Sequence, residues 1–205
     1  MKIIAVGMNY AAHNKELNET FIVPENPVIF MKPDSALLKA GKPFFIPDFS
    51  QRIEYETELV IRISRLGKNI AARFASRYYD AVTLGIDFTA RDMQQQLRSK
   101  ALPWELCKAF DDSAAIGTFI DVAAVGNISA LDFRLDIDGT TVQQANTADM
   151  LFTIDRIIEY VSQFCTLKIG DLIFTGTPKG VGPVSIGQHL KGFIGETKVL
   201  DLHIK

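Results

Sequence analysis

Residues 52–61 read R-I-E-Y-E-T-E-L-V-I. Ile53, Tyr55, Thr57, Leu59 and Ile61 form one set, and Arg52, Glu54, Glu56, Glu58 and Val60 form the other. Period-two alternation carrying aromatic and β-branched residues calls for a strand, because successive side chains of a strand leave opposite faces. Three glutamates then project from one face, with neighbouring roots about 6 to 7 Å apart. Like charges that close repel. Either this face lies in water or something positive sits on it.

The flanking sequence is also built mostly of strands. Residues 2–6 read as a short strand and 10–17 as a brief helix, while Pro24 and Pro27 make 21–26 a loop. A further strand covers 28–32. Ile70, Phe74 and Tyr78, spaced by four, predict an amphipathic helix over 66–81. Residues 82–88 alternate again, with Val82, Leu84, Ile86 and Phe88 on one face and Thr83, Gly85 and Asp87 on the other. Thr89-Ala-Arg-Asp92 resembles a capping motif, so a helix should follow directly. Phe133, Leu135 and Ile137 alternate up to Asp138-Gly139, the strongest hairpin signal in the chain. Ile154, Ile157, Ile158, Val161 and Cys165 trace a helical stripe, and the tail from 170 returns to short strands, 199–204 among them. This order lacks regular βαβα alternation. It predicts a mixed α+β, β-rich sandwich or roll with a few packed helices, and one domain over residues 1–205.

Charge excludes one class of partner. The 22 Lys and Arg face 24 Asp and Glu, a net −2 with no basic stripe, which argues against nucleic acid. No run approaches the roughly 18 apolar residues of a membrane helix, and the first residues do not make a secretory signal, so the expectation is a cytoplasmic protein with no membrane partner. Cys107 and Cys165 lack metal-type spacing and read as reduced packing residues.

Three groups of residues can carry chemistry. Asp87 ends its strand on the polar face, a common place for a functional group. Two strand carboxylates two apart, joined by a third from another strand, can converge on one hard cation: magnesium, manganese or calcium. The alternative is that the glutamates coat a solvated strand while Asp87 helps the helix start. His13 and Glu16, three apart on a helix, can pair as a general base, or simply as a surface pair. Thr175-Gly-Thr177-Pro-Lys-Gly-Val-Gly182 is either a plain tight turn or a cradle for a small anion, because its glycines let backbone amides approach closely. His189 and His203 lie in strand-like stretches, are assigned no acidic partner, and read as structural.

Taken in order, Gly7-Met-Asn-Tyr10, His13-Asn-Lys-Glu16, Lys32-Pro33 with Ser35-Ala36, Glu56-Thr-Glu58-Leu59, Gly85-Ile-Asp87-Phe-Thr-Ala-Arg91-Asp92, Pro103-Trp104 with Lys108, and the 175–182 turn resemble the fumarylacetoacetate hydrolase family over essentially the whole chain. The likeness is strongest to its short acylpyruvase and oxaloacetate decarboxylase members. The resemblance implies a β-sandwich roll, a homodimer, and one divalent cation (Mg2+, with Mn2+ or Ca2+ as substitutes) on Glu56, Glu58 and Asp87. It implies a water-activating dyad of His13 and Glu16, an active-site Lys108, and substrate or supporting contacts from Arg91, Gln94 and Thr177. Glu54 matches no ligand, and Met8 stands where several relatives carry arginine. The implied activity is hydrolysis of a C–C bond in acylpyruvate-type 2-oxo acids through a metal-stabilised pyruvate enolate. Decarboxylation of oxaloacetate and tautomerisation of a related dicarboxylate are the alternatives within the enzyme class. A catalytically silent metal- or metabolite-binding protein would need none of His13, Glu16 and Lys108.

Overall fold

The structure, a computed structural model, describes residues 1–17, 23–38 and 41–205. The expected 21–26 loop falls partly outside them. In chain order the elements are β1 (Ile3–Gly7), α1 (Ala11–Leu17), β2 (Val28–Lys32), β3 (Ile53–Tyr55), β4 (Thr57–Ile63), β5 (Tyr79–Asp87), β6 (Thr89–Ala90), α2 (Arg91–Ser99), α3 (Glu105–Lys108), β7 (Ala114–Ile116) and β8 (Ile120–Asp121). There follow α4 (Val122–Val125), β9 (Asp132–Ile137), β10 (Thr140–Asn146), α5 (Ile154–Phe164), β11 (Leu172–Phe174), β12 (Gly182–Pro183), β13 (His189–Ile194) and β14 (Thr197–His203). The fold is mixed α+β and strand-rich.

A seven-stranded sheet runs β2-β1-β11-β4-β5-β7, with β8 also on β5. All of its pairings are antiparallel except β1 with β11, where Ile3 lies opposite Leu172. A four-stranded sheet runs β10-β9-β13-β14, its first turn formed at Asp138-Gly139 as the hairpin signal predicts, and a three-stranded sheet runs β12-β3-β6. The helix α5 follows its apolar stripe: Ile154, Ile157, Ile158 and Val161 are buried, and the Thr153 hydroxyl accepts from Arg156 N–H at its start. They pack with Leu59, Ile61, Val82, Leu84 and Phe133 in one core. Ile86, Phe88, Leu135, Leu190 and Leu200 build a second core, in which Phe44 stacks on Phe88 at 3.7 Å.

The alternating segment does not run as one strand. It breaks at Glu56, so that β3 belongs to the three-stranded sheet and β4 to the seven-stranded one; the chain makes the same change of sheet at Phe88, between β5 and β6. Two strands that switch sheets side by side make a corner. At the break, Thr57 N–H has no ladder partner and donates to the buried Gln143 side chain at 2.9 Å.

One expectation fails, and a second holds for another reason than the one given. The helix over 66–81 is absent: Ala72–Arg77 is a 3-10 helix, and β5 has begun by Tyr79. Asn69, at φ 52, interrupts any helix there, so Ile70 and Tyr78 reach the core from either side of the 3-10 turn. The helix expected directly after the 82–88 strand does start, at Arg91, but Thr89 does not cap it: Thr89 Oγ1 accepts from Lys108, while Asp92 accepts from the Ser50 hydroxyl, the Gln51 amide and the Met93 N–H of the first turn.

Candidate active site

Register brings the two polar faces together. Glu58 lies opposite Gly85, and Asp87 N–H donates to Glu56 O at 2.8 Å, so Glu56, Glu58 and Asp87 share one side of the sheet at its corner. Gly85 is needed there, because a Cβ would meet Phe174 Cε1 at 2.6 Å and Ala115 O at 2.8 Å. One carboxylate oxygen from each of the three acids lies within 4.8 Å of the other two. All three residues are at least 95 % buried. The exposed-coat reading of the glutamates is therefore wrong.

Cations surround two of the three. Lys108 Nζ donates to Glu56 Oε2 at 2.8 Å, Asp87 Oδ2 at 2.7 Å and Thr89 Oγ1 at 2.6 Å. Arg91 donates to Glu54 at 2.6 Å, to Glu56 at 2.5 Å and to Gln94. Lys32 Nζ, held by the backbone carbonyls of Lys108 and Ser113, lies 2.7 Å from Asp87 Oδ1. Lys32 and Asp87 therefore form a fully buried ion pair. Burial pushes the Glu56 carboxyl up, but Lys108 and Arg91 outweigh it and hold Glu56 below the usual carboxylate range. Lys108 shows the mirror effect: burial lowers it, and Asp87 with Glu56 brings it above its ordinary value.

Glu58 differs. Its side chain accepts from Gly176 N–H at 2.6 Å but makes no ion pair among the described residues. Burial, then Asp87 and Glu56, pushes its carboxyl well above the usual range. A buried acid of this kind must hold a proton or have a cation beside it. The carboxylate triad and its oxygen-only donors together fit a hard divalent cation.

His13 opens onto the same pocket as Glu56, Glu58, Lys108 and Thr177. Its Nδ1 has no hydrogen-bond partner and lies 3.6 Å from Glu16 Oε2. Burial holds its pKa below the ordinary value of 6.5 despite the pull of Glu56. Glu16 is anchored from the other side by Gly180 N–H at 3.1 Å. The amides of the 175–182 turn thus do cradle carboxylates, and those carboxylates belong to the chain itself: Glu58 and Glu16. Thr177 Oγ1 accepts from Gln143, so that one side chain ties the turn to the strand break.

The sequence-derived set converges. His13, Glu56, Glu58, Arg91, Gln94, Lys108 and Thr177 line one pocket; Asp87 lies behind Lys108, and Glu16 beside His13. Sequence reasoning gave no role to Lys32, Glu54 or Gln143. Lys32 entered only as part of the Lys32-Pro33 motif, without a role, although a lysine closing the apolar run Val-Ile-Phe-Met could have marked it. The same reasoning missed the acidic partner of His189, whose Nε2 lies 2.6 Å from Asp201 across the sheet. Cys107 is inert as expected: burial pushes its thiol up to about 11.

Residues 2–205 match the family described as fumarylacetoacetate (FAA) hydrolase, C-terminal. Among curated proteins the chain is 41% identical, over 191 residues, to the mitochondrial oxaloacetate decarboxylase of Dictyostelium discoideum, covering 93% of this chain and 87% of the relative. It is 38% identical to the mitochondrial oxaloacetate tautomerase FAHD1 of Mus musculus, with 94% and 86% coverage. Among solved structures, the fumarylpyruvate hydrolase of Pseudomonas aeruginosa in complex with Mn2+ and pyruvate superposes with a TM-score of 0.91 at 34% identity, covering 100% of this chain and 89% of that one. The corner of carboxylates, the lysine between them and the histidine facing them are therefore those of a chain that belongs to the fumarylacetoacetate hydrolase family.

Proposed function

We propose that this chain is a divalent-metal-dependent hydrolase that cleaves the C–C bond of acylpyruvate-type 2-oxo acids. The observation that carries the reading is the pairing of Lys108, between Glu56 and Asp87, with a buried His13 on the same pocket. Glu56, Glu58 and Asp87 would hold the cation, magnesium or manganese, which supplies Lewis-acid binding of the substrate's 2-oxo carboxylate end. His13, oriented by Glu16, takes a proton from water so that the oxygen adds to the distal carbonyl. The bond between that carbonyl carbon and the methylene then breaks. Its electron pair passes into pyruvate enolate, and the Lys108 ammonium stabilises the developing charge in a water-poor site. Protonation of the enolate gives pyruvate, and the other fragment leaves as a carboxylic acid.

A second reading is oxaloacetate decarboxylation or tautomerisation, favoured by the names of the relatives at 41% and 38% identity. Neither reaction needs an attacking water, so Lys108 matters to both readings and water activation by His13 to hydrolysis alone. The deciding experiment assays acetylpyruvate and oxaloacetate side by side, with Mg2+ and with a chelator. Hydrolysis of acetylpyruvate that stops on chelation supports the first reading. Turnover of oxaloacetate alone selects the second, and full activity in metal-stripped protein refutes both.

A further inference from the structure

We propose that Arg98 is the residue that sets specificity for a second, distal carboxylate on the substrate; this rests on the 2-oxo acid reading above. The inner pocket has no cation to spare. Lys32 faces Asp87, Lys108 is shared by Glu56 and Asp87, and Arg91 is shared by Glu54 and Glu56. A second anionic group on the substrate must find its counter-charge elsewhere.

Arg98 lines the same pocket, and its side chain makes no ion pair or hydrogen bond among the described residues. It follows Arg91 by seven positions and Gln94 by four on α2, which puts the three on one helix face. Arg98 therefore stands about 10 Å further along the axis than Arg91, at about 1.5 Å of rise per residue. Arg98 is exposed while Glu56, Glu58 and Asp87 are buried, so its side chain lines the solvent end of the pocket whose inner end holds the carboxylates. Met8, Phe30 and Trp104 also line it. Beside such apolar side chains an ion pair is less screened than in open water. Met8 sits at φ 64, a left-handed conformation that costs energy for a residue with a side chain, as happens at ligand sites. A guanidinium presents a planar fork matched to a carboxylate, and the compact ammonium of lysine reproduces that only in part.

The test is binding of two unreactive ligands, 2-oxoglutarate and 2-oxopentanoate, to Mn2+-loaded protein by calorimetry. They have the same chain length and differ in the distal carboxylate. Wild-type protein should prefer 2-oxoglutarate by about 10- to 100-fold, the range of a charge-assisted hydrogen bond. Arg98→Ala should abolish the preference while leaving 2-oxopentanoate within about twofold, and Arg98→Lys should restore part of it. Equal affinities in the wild type, or a preference that survives Arg98→Ala, would overturn the assignment of Arg98. Binding of neither ligand would overturn the 2-oxo acid reading itself, and this inference with it.

Discussion

An ammonium has three N–H donors, and Lys108 directs all three at Glu56, Asp87 and Thr89. Any substrate oxygen it binds must displace one of them. Lys108→Ala should therefore depress acylpyruvate hydrolysis and oxaloacetate decarboxylation alike, since both pass through an enolate. Steady-state rates on the two substrates check this. His13→Ala should separate them, lowering hydrolysis by about 10²- to 10⁴-fold and decarboxylation far less. Equal losses would remove water activation from its role. The histidine also sets a pH limit. Because burial depresses its folded pKa below 6.5, the unfolded chain binds the extra proton more readily. His13 thus contributes stability above 6.5 that is lost as pH falls through its depressed folded value. The acid limb of the hydrolytic rate, and the His13 ring signal in an NMR titration, should accordingly fall below pH 6.5; a midpoint at or above it would contradict the burial argument. At this scale, like charges two apart on a strand made Glu56 and Glu58 visible in the sequence. Lys32 stayed hidden because its role depends on Asp87, 55 positions away, arriving beside it.

The strand break at Glu56 is supported by Gln143, which accepts from Thr57 N–H and donates to Thr177 Oγ1 and to Pro178 O. Gln143→Leu would strand those buried groups, and the expected loss is about 1–3 kcal/mol per unsatisfied group in a urea titration. Gly176 supports the same corner from the turn. At φ 100, with Asn9 Cβ 2.7 Å from where a Cβ would stand, it admits no side chain, and its N–H holds Glu58. Gly176→Ala should cost stability and weaken Mn2+ binding together. Gly187→Ala, at a similar φ 95 with open space around it, should affect stability alone. Calorimetric Mn2+ titration of the two variants decides between these outcomes. Alternation disclosed the strands on both sides of the corner but not the corner itself, because each break is set by partners in other sheets. The spacing over 66–81 misled for a related reason: of the three residues four apart, Ile70 is buried, Tyr78 half-buried and Phe74 exposed, so they share no helix face.

Over the whole molecule, the site is a concentration of buried charge that a ligand can stabilise. A cation that binds the folded chain and not the unfolded one adds about 2.7 kcal/mol at 100 times its dissociation constant. Thermal unfolding should therefore shift upward with Mn2+ and back with chelator, and Glu58→Gln should remove most of that shift. An unchanged midpoint in the wild type would argue against the carboxylate triad as a metal site. The family resemblance made the outline of this site readable from ordered motifs spread over 175 positions, from Gly7 to Gly182, while the sheet order that assembles them was not. That sheet order also bears on how the chain is made. β1 takes its parallel partner from β11, and the adjoining Lys2 and Asp171 that pair beside it are separated by 169 residues. At roughly 5–20 residues per second of synthesis, the first strand waits on the order of ten seconds or more for that neighbour, with only β2 to pair with in the interval. The three acids, and the lysine between them, leave the ribosome well before the Gly176 amide that fixes Glu58. For part of its birth the protein therefore carries an acidic cluster whose final shape it cannot yet hold.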